Sequence, residues 1–215
     1  MIPAPLRRLV APALAMTIAL ALAACSSAGG AAPQPSTPAS AATTGACPTS
    51  QPPALPAGET PTVTIQTDKG AVAIKIQADL SPIAAGNFVA LASCGFYDGV
   101  VFHRVVAGFV IQGGDPTGTG SGGPGYEIRD EPVTAIYSRG TVAMARTQAP
   151  NSVGSQFFIV LDDGARAALA SANTYQIIGT VSSGMDAVDS IAAAAGSQEL
   201  PSSPIVMTKV TVSNP

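Results

Sequence analysis

Two stretches of the chain hold most of the side chains that could do chemistry. In Phe102-His103-Arg104-Val105-Val106-Ala107-Gly108-Phe109-Val110-Ile111-Gln112-Gly113-Gly114-Asp115, a cation, an imidazole and an amide interrupt an apolar run. In Gly140-Thr141-Val142-Ala143-Met144-Ala145-Arg146, and then Gly154-Ser155-Gln156-Phe157-Phe158-Ile159, a second cation and a second amide stand beside paired aromatic rings. Arg104 keeps its charge at any working pH and carries a planar fork of N–H donors. It can serve as an electrophilic donor or as an ordinary salt-bridge partner. Gln112 and Gln156 sit in apolar strands, where buried amides need partners. A bound peptide backbone or a neighbouring loop could supply them. Successive strand side chains face opposite ways, so one of Phe157 and Phe158 belongs to a core and the other to the opposite face. The same rule turns His103, the only histidine, away from whatever Arg104 faces, which favours a structural role over acid–base work.

Several other chemistries are excluded. The chain has no G-x-S-x-G elbow, no H-E-x-x-H and no C-x-x-C. Gly118-Thr119-Gly120-Ser121-Gly122-Gly123 fits G-x-G-x-x-G in form, but Pro124-Gly125 follows where a dinucleotide site needs a helix. It reads as a flexible glycine loop. One His and three scattered Cys leave little for a metal. The formal charge of −3, with no Lys/Arg run, argues against a nucleic-acid partner. No cofactor and no metal are expected.

Only 11% of the 215 residues are charged, well below the roughly 25% of ordinary globular domains. The shortage is concentrated at the N-terminus, where Arg7 and Arg8 are the only charges in the first 58 residues. Those two arginines followed by apolar Leu9 to Ala23 have the form of a signal peptide, with a core too short to span a bilayer comfortably. Leu22-Ala23-Ala24-Cys25 resembles the bacterial lipobox. Residues 1–24 are therefore expected to be a lipoprotein signal peptide, with Cys25 lipidated and the protein held at the outer face of the cell membrane. Residues 25–60, rich in Ala, Pro, Ser and Thr, are expected to be a disordered tether.

Residues 61–215 then form the folded domain. Thr62 to Thr67 and Ala71 to Ile76 alternate polar and apolar about Asp68-Lys69-Gly70, which predicts a hairpin with one buried face. Ser81-Pro82 opens a helix carrying Phe88 and Leu91 and stopping near Gly95. Six more β-like runs follow: Val100–Val105, Phe109–Gln112, Thr141–Ala145, Gln156–Leu161, Gln176–Val181 and Ile205–Val212. A second helix spans Gly184 to Ala195. The fold class is mainly β, with eight antiparallel strands closed into a barrel and capped by two helices.

The F-H-R-x-x-x-G-F-x-x-Q-G-G-D and G-S-Q-F-F-I cores, together with Asn87-Phe88 and Gly95-Phe96-Tyr97-Asp98-Gly99, resemble those of cyclophilin-type peptidyl-prolyl cis–trans isomerases, over about residues 62 to 212. That resemblance implies a cyclophilin-like barrel acting on X-Pro bonds. Such bonds favour trans by only about 0.5–1 kcal/mol but rotate over a barrier of ~18–20 kcal/mol set by amide resonance. Lowering it needs an apolar slot for the proline ring and a donor for the nitrogen lone pair that reappears on twisting. By resemblance Arg104 is that donor. Phe109, Val110, Phe158, Leu169 and Tyr175 form the slot. Gln112, Ala145, Arg146 and Gln156 hold the substrate backbone. The chain departs from the family pattern in having no Trp: Ala168 stands near that position, and Tyr175 stands where many members have His.

The expected substrates are proline-containing segments of exported proteins, and a monomer is expected. The alternative is a module that binds proline peptides at the cell surface without turning them over. Cys47 and Cys94, placed in an oxidising compartment by export, are a candidate disulfide.

Overall fold

The computed structural model describes residues 45–196 and 199–214. The expected signal peptide, Cys25 and most of the expected tether lie outside the described residues.

Alternation places the first hairpin as expected. β1 (Thr62–Thr67) and β2 (Gly70–Ile76) pair antiparallel, and Val63, Ile65, Val72, Ile74 and Ile76 are completely buried. The remaining strands are β3 (Val101–Val106), β4 (Val110–Asp115), β5 (Thr141–Met144), β6 (Phe157–Val160), β7 (Ile177–Ser183) and β8 (Lys209–Ser213). They form one eight-stranded antiparallel sheet in the order β3-β4-β6-β5-β7-β2-β1-β8.

The expected closed barrel needs correction. Edge strands β3 and β8 do not pair, and the sheet is a curled half-barrel. The gap is spanned by residues 199–207, which touch β3 through a single bridge, Val101 to Val206, and isolated backbone bonds such as Phe102 N–H to Ile205 O (2.9 Å). Pro201 and Pro204 lie in this segment. Lacking N–H donors, they cannot extend a ladder.

The helix count also changes, from two to three. α1 (Pro82–Ser93) and α3 (Met185–Ala194) were expected; α2 (Arg166–Ala172), entered through a 3₁₀ turn at Asp163–Ala165, was not. α1 starts after Ser81, but the Ser81 side chain makes no cap. The Glu131 carboxylate does so instead, accepting from the N–H groups of Ile83 and Ala84 (both 2.9 Å), where the helix dipole favours an anion.

The tether boundary moves as well. Residues 45–60 are not free of the domain. Leu55 N–H donates to Pro82 O (2.9 Å) and Gly58 N–H to Asp79 Oδ1 (2.9 Å), and Pro52 is buried. At Gly86, a Cβ would lie 2.4 Å from Pro53 O, so only glycine lets this segment lie on α1. Cys47 and Cys94 form a disulfide with a Cα separation of 5.2 Å, which ties the segment to the end of α1.

Two apolar clusters flank the sheet. The larger one packs α1 and α3 against the strands, around Phe88, Tyr97, Phe102 and Phe157, whose rings meet mostly edge-on at centroid distances of 5.1–6.1 Å. Such pairs add about 0.5–1.5 kcal/mol each beyond their burial. The smaller cluster gathers Val110, Tyr137, Phe158, Val160, Leu169 and Ile177. Phe157 thus belongs to one cluster and Phe158 to the other, as alternation requires.

Candidate active site

The sheet register assembles the site. In neighbouring antiparallel strands, directly opposed residues share a face. Arg104 on β3 opposes Gln112 on β4, Gln112 opposes Phe158 on β6, and Phe158 opposes Ala143 on β5. One row across four strands therefore puts the guanidinium, the amide and the aromatic ring on the same face. With strands about 4.8 Å apart, Arg104 and Phe158 stand two strand spacings from each other. A β-bulge at His103 sets this aim. Phe102 pairs with Gly113 and Arg104 with Gln112, leaving His103 as the extra residue. His103 is buried, and neither ring nitrogen has a partner among the described residues. Burial first, opposed by Asp115 and assisted by Arg104, lowers its pKa, so the ring is neutral at physiological pH.

The expected slot residues come together in the smaller cluster. Val110, Phe158 and Leu169 are buried; Phe109, Ala145 and Tyr175 pack against them, partly exposed. The rings of Phe158 and Tyr175 meet edge-on at 5.4 Å, and Tyr137 Oη donates to Tyr175 O (2.9 Å). Leu169 arrives on the unexpected α2. Phe109 lies in the turn before β4 rather than within it, and its carbonyl accepts from Leu161 N–H (2.8 Å).

Arg104, Gln112 and Gln156 form a chain of polar contacts. Arg104 Nη1 reaches Gln112 Oε1 at 3.5 Å, Gln112 Nε2 donates to Gln156 Oε1 (2.9 Å), and Gln156 Nε2 donates to the carbonyls of Gly120 and Gly122 (both 2.9 Å). The tie to a loop, one of the two readings open for these amides, holds for Gln156. Ala145 N–H is taken by Gln156 O (2.9 Å). The Arg146 side chain ties its own loop to the segment before β5, donating to Ala149 O (2.7 Å) and pairing with Asp130 (3.0 Å).

Beside the smaller cluster lies an open cavity of about 730 Å³. Gln112, Ala145, Arg146 and Gln156 form one wall and residues 120–127 the other. Arg104, Phe109, Phe158, Leu169 and Tyr175 do not line it; Ala145, which packs against the cluster, and Gln112, opposite Phe158, border both. Asn87 braces its rear from α1, donating to Gly154 O (2.8 Å) and accepting from Tyr126 Oη (2.7 Å).

The glycine loop, expected to be flexible, is tied down. The Asp115 carboxylate accepts from the N–H groups of Thr117 (2.7 Å), Thr119 (3.0 Å), Gly120 (2.6 Å) and Gly122 (3.0 Å), and from the Thr117 hydroxyl (2.8 Å). A Cβ on Gly122 would lie 2.0 Å from Asp115 Oδ1. Burial by itself would raise the Asp115 pKa. The donors from Gly122, Thr117 and Gly120 outweigh it and hold the carboxyl well below the usual range. Sequence reasoning gave Asp115 no role. Its position after Gly113-Gly114 and before a run of glycine N–H donors was the available signal. No cluster of three or more metal-ligating side chains occurs among the described residues.

Comparison with known proteins bears on this arrangement. Residues 62–212 match the family model described as cyclophilin type peptidyl-prolyl cis-trans isomerase/CLD. The chain belongs to the cyclophilin family. A peptidyl-prolyl cis-trans isomerase of Helicobacter pylori is 47% identical over 102 residues, covering 46% of this chain and 62% of that protein. A probable peptidyl-prolyl cis-trans isomerase of Brucella abortus is 41% identical over 146 residues, covering 60% of this chain and 70% of that protein. A putative bifunctional phosphatase/peptidyl-prolyl cis-trans isomerase of Streptococcus pyogenes is 47% identical over 104 residues, and the match spans only 22% of its length. Among solved structures, a cyclophilin type isomerase of Cryptosporidium parvum superposes with a TM-score of 0.64 at 32% identity, covering 73% of this chain and 99% of that one. Its structure was also determined in the presence of the dipeptide Ala-Pro.

Proposed function

We propose that this cyclophilin speeds rotation about X-Pro bonds by gripping the proline ring against Phe158 and donating a hydrogen bond from Arg104 to the twisted nitrogen. The register of Arg104, Gln112 and Phe158 on one sheet face carries this reading. In the planar amide the proline nitrogen shares its lone pair with the carbonyl and accepts nothing. At the twisted state the lone pair localises, so the guanidinium contact forms only there and lowers the barrier without merely tightening substrate binding. Phe109, Val110, Leu169 and Tyr175 wall the slot and keep it dry. The Ala145 carbonyl, the backbone of Arg146 and the amide of Gln112 hold the peptide on either side of the proline, with Gln156 orienting Gln112 from the loop side. No covalent intermediate and no proton transfer is required. The Ala-Pro dipeptide used with the Cryptosporidium parvum relative supports a proline-containing ligand.

The test is a protease-coupled isomerisation assay on a short X-Pro peptide with wild type and R104A. Wild-type turnover well above both the uncatalysed rate and the variant supports catalysis. Wild type no faster than R104A would indicate a proline-peptide binding module.

We further propose that the domain acts on exported chains from the outer face of the cell membrane, anchored through Cys25. The lipobox-like Leu22-Ala23-Ala24-Cys25 and the Cys47–Cys94 disulfide, a bond characteristic of oxidising compartments, support this. C25S should move the protein from the membrane fraction to the soluble one; unchanged partitioning would refute anchoring at this residue.

A further inference from the structure

We infer that Glu199 is a positioning residue for the Arg104 guanidinium, an inference that rests on the donor role given to Arg104 above. Glu199 lies 95 residues further along the chain, in the segment that spans the gap between β3 and β8. Its carboxylate Oε1 accepts from Arg104 Nε at 2.5 Å, and its backbone carbonyl accepts from Val105 N–H at 2.8 Å. The residue is thus pinned to β3 by its own backbone, one position from the side chain it holds.

The geometry gives the contact a direction. Nε and Nη1 project from different edges of the planar guanidinium. Glu199 takes the first and Gln112 the second. The short Nε contact holds one edge and the longer Gln112 contact leans on the other, which restricts rotation about the last side-chain bonds, and Nη2 makes no bond among the described residues. Nη2 is the donor left for a substrate nitrogen. An untethered Arg chain would spread its fork over many rotamers, and only some of them aim a donor at the slot.

Stability does not account for the pair. The Arg104 side chain is 33% exposed and that of Glu199 58%, and ion pairs this open contribute little to folding. Glu199 is also absent from the lining of the peptide cavity, so its loss should act on the rate in the bound state and leave affinity alone.

The experiment compares E199A, E199Q and R104A in the full chain. It reads kcat/KM by the coupled assay, Kd by titration with a short Ala-Pro-containing peptide, and the Arg104 Nε–H resonance by ¹⁵N NMR. The expected result is a loss in kcat/KM of about fivefold for E199A, the size of one well-placed exposed ion pair. E199Q, which keeps an acceptor oxygen, should recover part of that loss. Kd should stay within twofold, and the Nε–H resonance should shift in E199A. E199A as fast as or faster than wild type while R104A is inactive, or a loss carried by Kd, would overturn the positioning role alone. R104A as active as wild type would overturn the donor reading and this inference with it.

Discussion

Arg104 and Gln112 are direct cross-strand partners at the bulge in β3, with Nη1 and Oε1 3.5 Å apart. The contact is long for a hydrogen bond in the resting protein, and it joins the proposed donor to the amide chain that ends in the glycine loop. Q112A removes the Nη1 partner without opening a core cavity, because Gln112 is half-buried. The expected outcome is a loss in kcat/KM of about tenfold with a thermal midpoint close to wild type, read by the coupled assay and by thermal unfolding.

The two neighbouring phenylalanines separate packing from function. Phe157 is fully buried among Phe88, Tyr97 and Phe102, whereas Phe158 meets Tyr175 in the slot cluster. F157A should cost about 3–5 kcal/mol of stability and leave peptide affinity unchanged in the fraction that folds. F158A should weaken peptide binding at least about tenfold by removing a slot wall. Denaturant unfolding and peptide titration on both variants check the pair, and equal effects on affinity would contradict the assignment.

Asp115 carries a pH signature. Its folded pKa is depressed, so its stabilising bonds are fully present above the ordinary carboxylate value of about 3.9 and are lost as pH falls below it towards the folded value. D115N, which cannot titrate, should be less stable than wild type at pH 7 by about 1–3 kcal/mol. The gap should narrow on acidification from about pH 4 downward. Unfolding curves of both proteins between pH 7 and pH 2 measure it; a gap that widened in acid would contradict the assignment.

Reduction of Cys47–Cys94 should release residues 45–60 from α1 and lower stability by about 2–4 kcal/mol, given the 47-residue separation it closes. Isomerase activity at 25 °C should be unchanged, because neither cysteine lies in the sheet that carries Arg104 and Phe158 or lines the cavity beside them. Thermal unfolding with and without reductant, alongside the activity assay, tests this.

What the sequence revealed, and what it hid, follows from the range of the forces involved. The β1–β2 hairpin, α1, and the opposite fates of Phe157 and Phe158 depend on periodicity within a few residues, and alternation carries them. α2 was hidden because Leu169 is its only buried residue, too little for a helical stripe. Residues 45–60 have the composition of a tether, and their order comes from backbone bonds to Pro82 and Asp79 and from a disulfide, none of which composition registers. The gap between β3 and β8 was marked by Pro201 and Pro204, but only knowledge of which strands are neighbours gives those prolines their meaning. Phe109, Val110 and Phe158 stand within two long motifs, whereas Leu169 and Tyr175 lie beyond both, where the chain departs from the family pattern. Asp115 and Glu199 were not legible, because one works through backbone donors and the other meets its partner across 95 residues.

The most direct test of the account is the rate of cis–trans exchange of a bound X-Pro peptide, measured by NMR at saturating protein for wild type, R104K and R104A, with Kd determined separately. A donor acting only on the twisted state predicts that R104A slows bound-state exchange by about 10²–10³-fold and that R104K, lacking the planar fork, restores little of it, while both bind the peptide nearly as wild type does. Exchange in R104A as fast as in wild type, or a loss wholly explained by weaker binding, would contradict it.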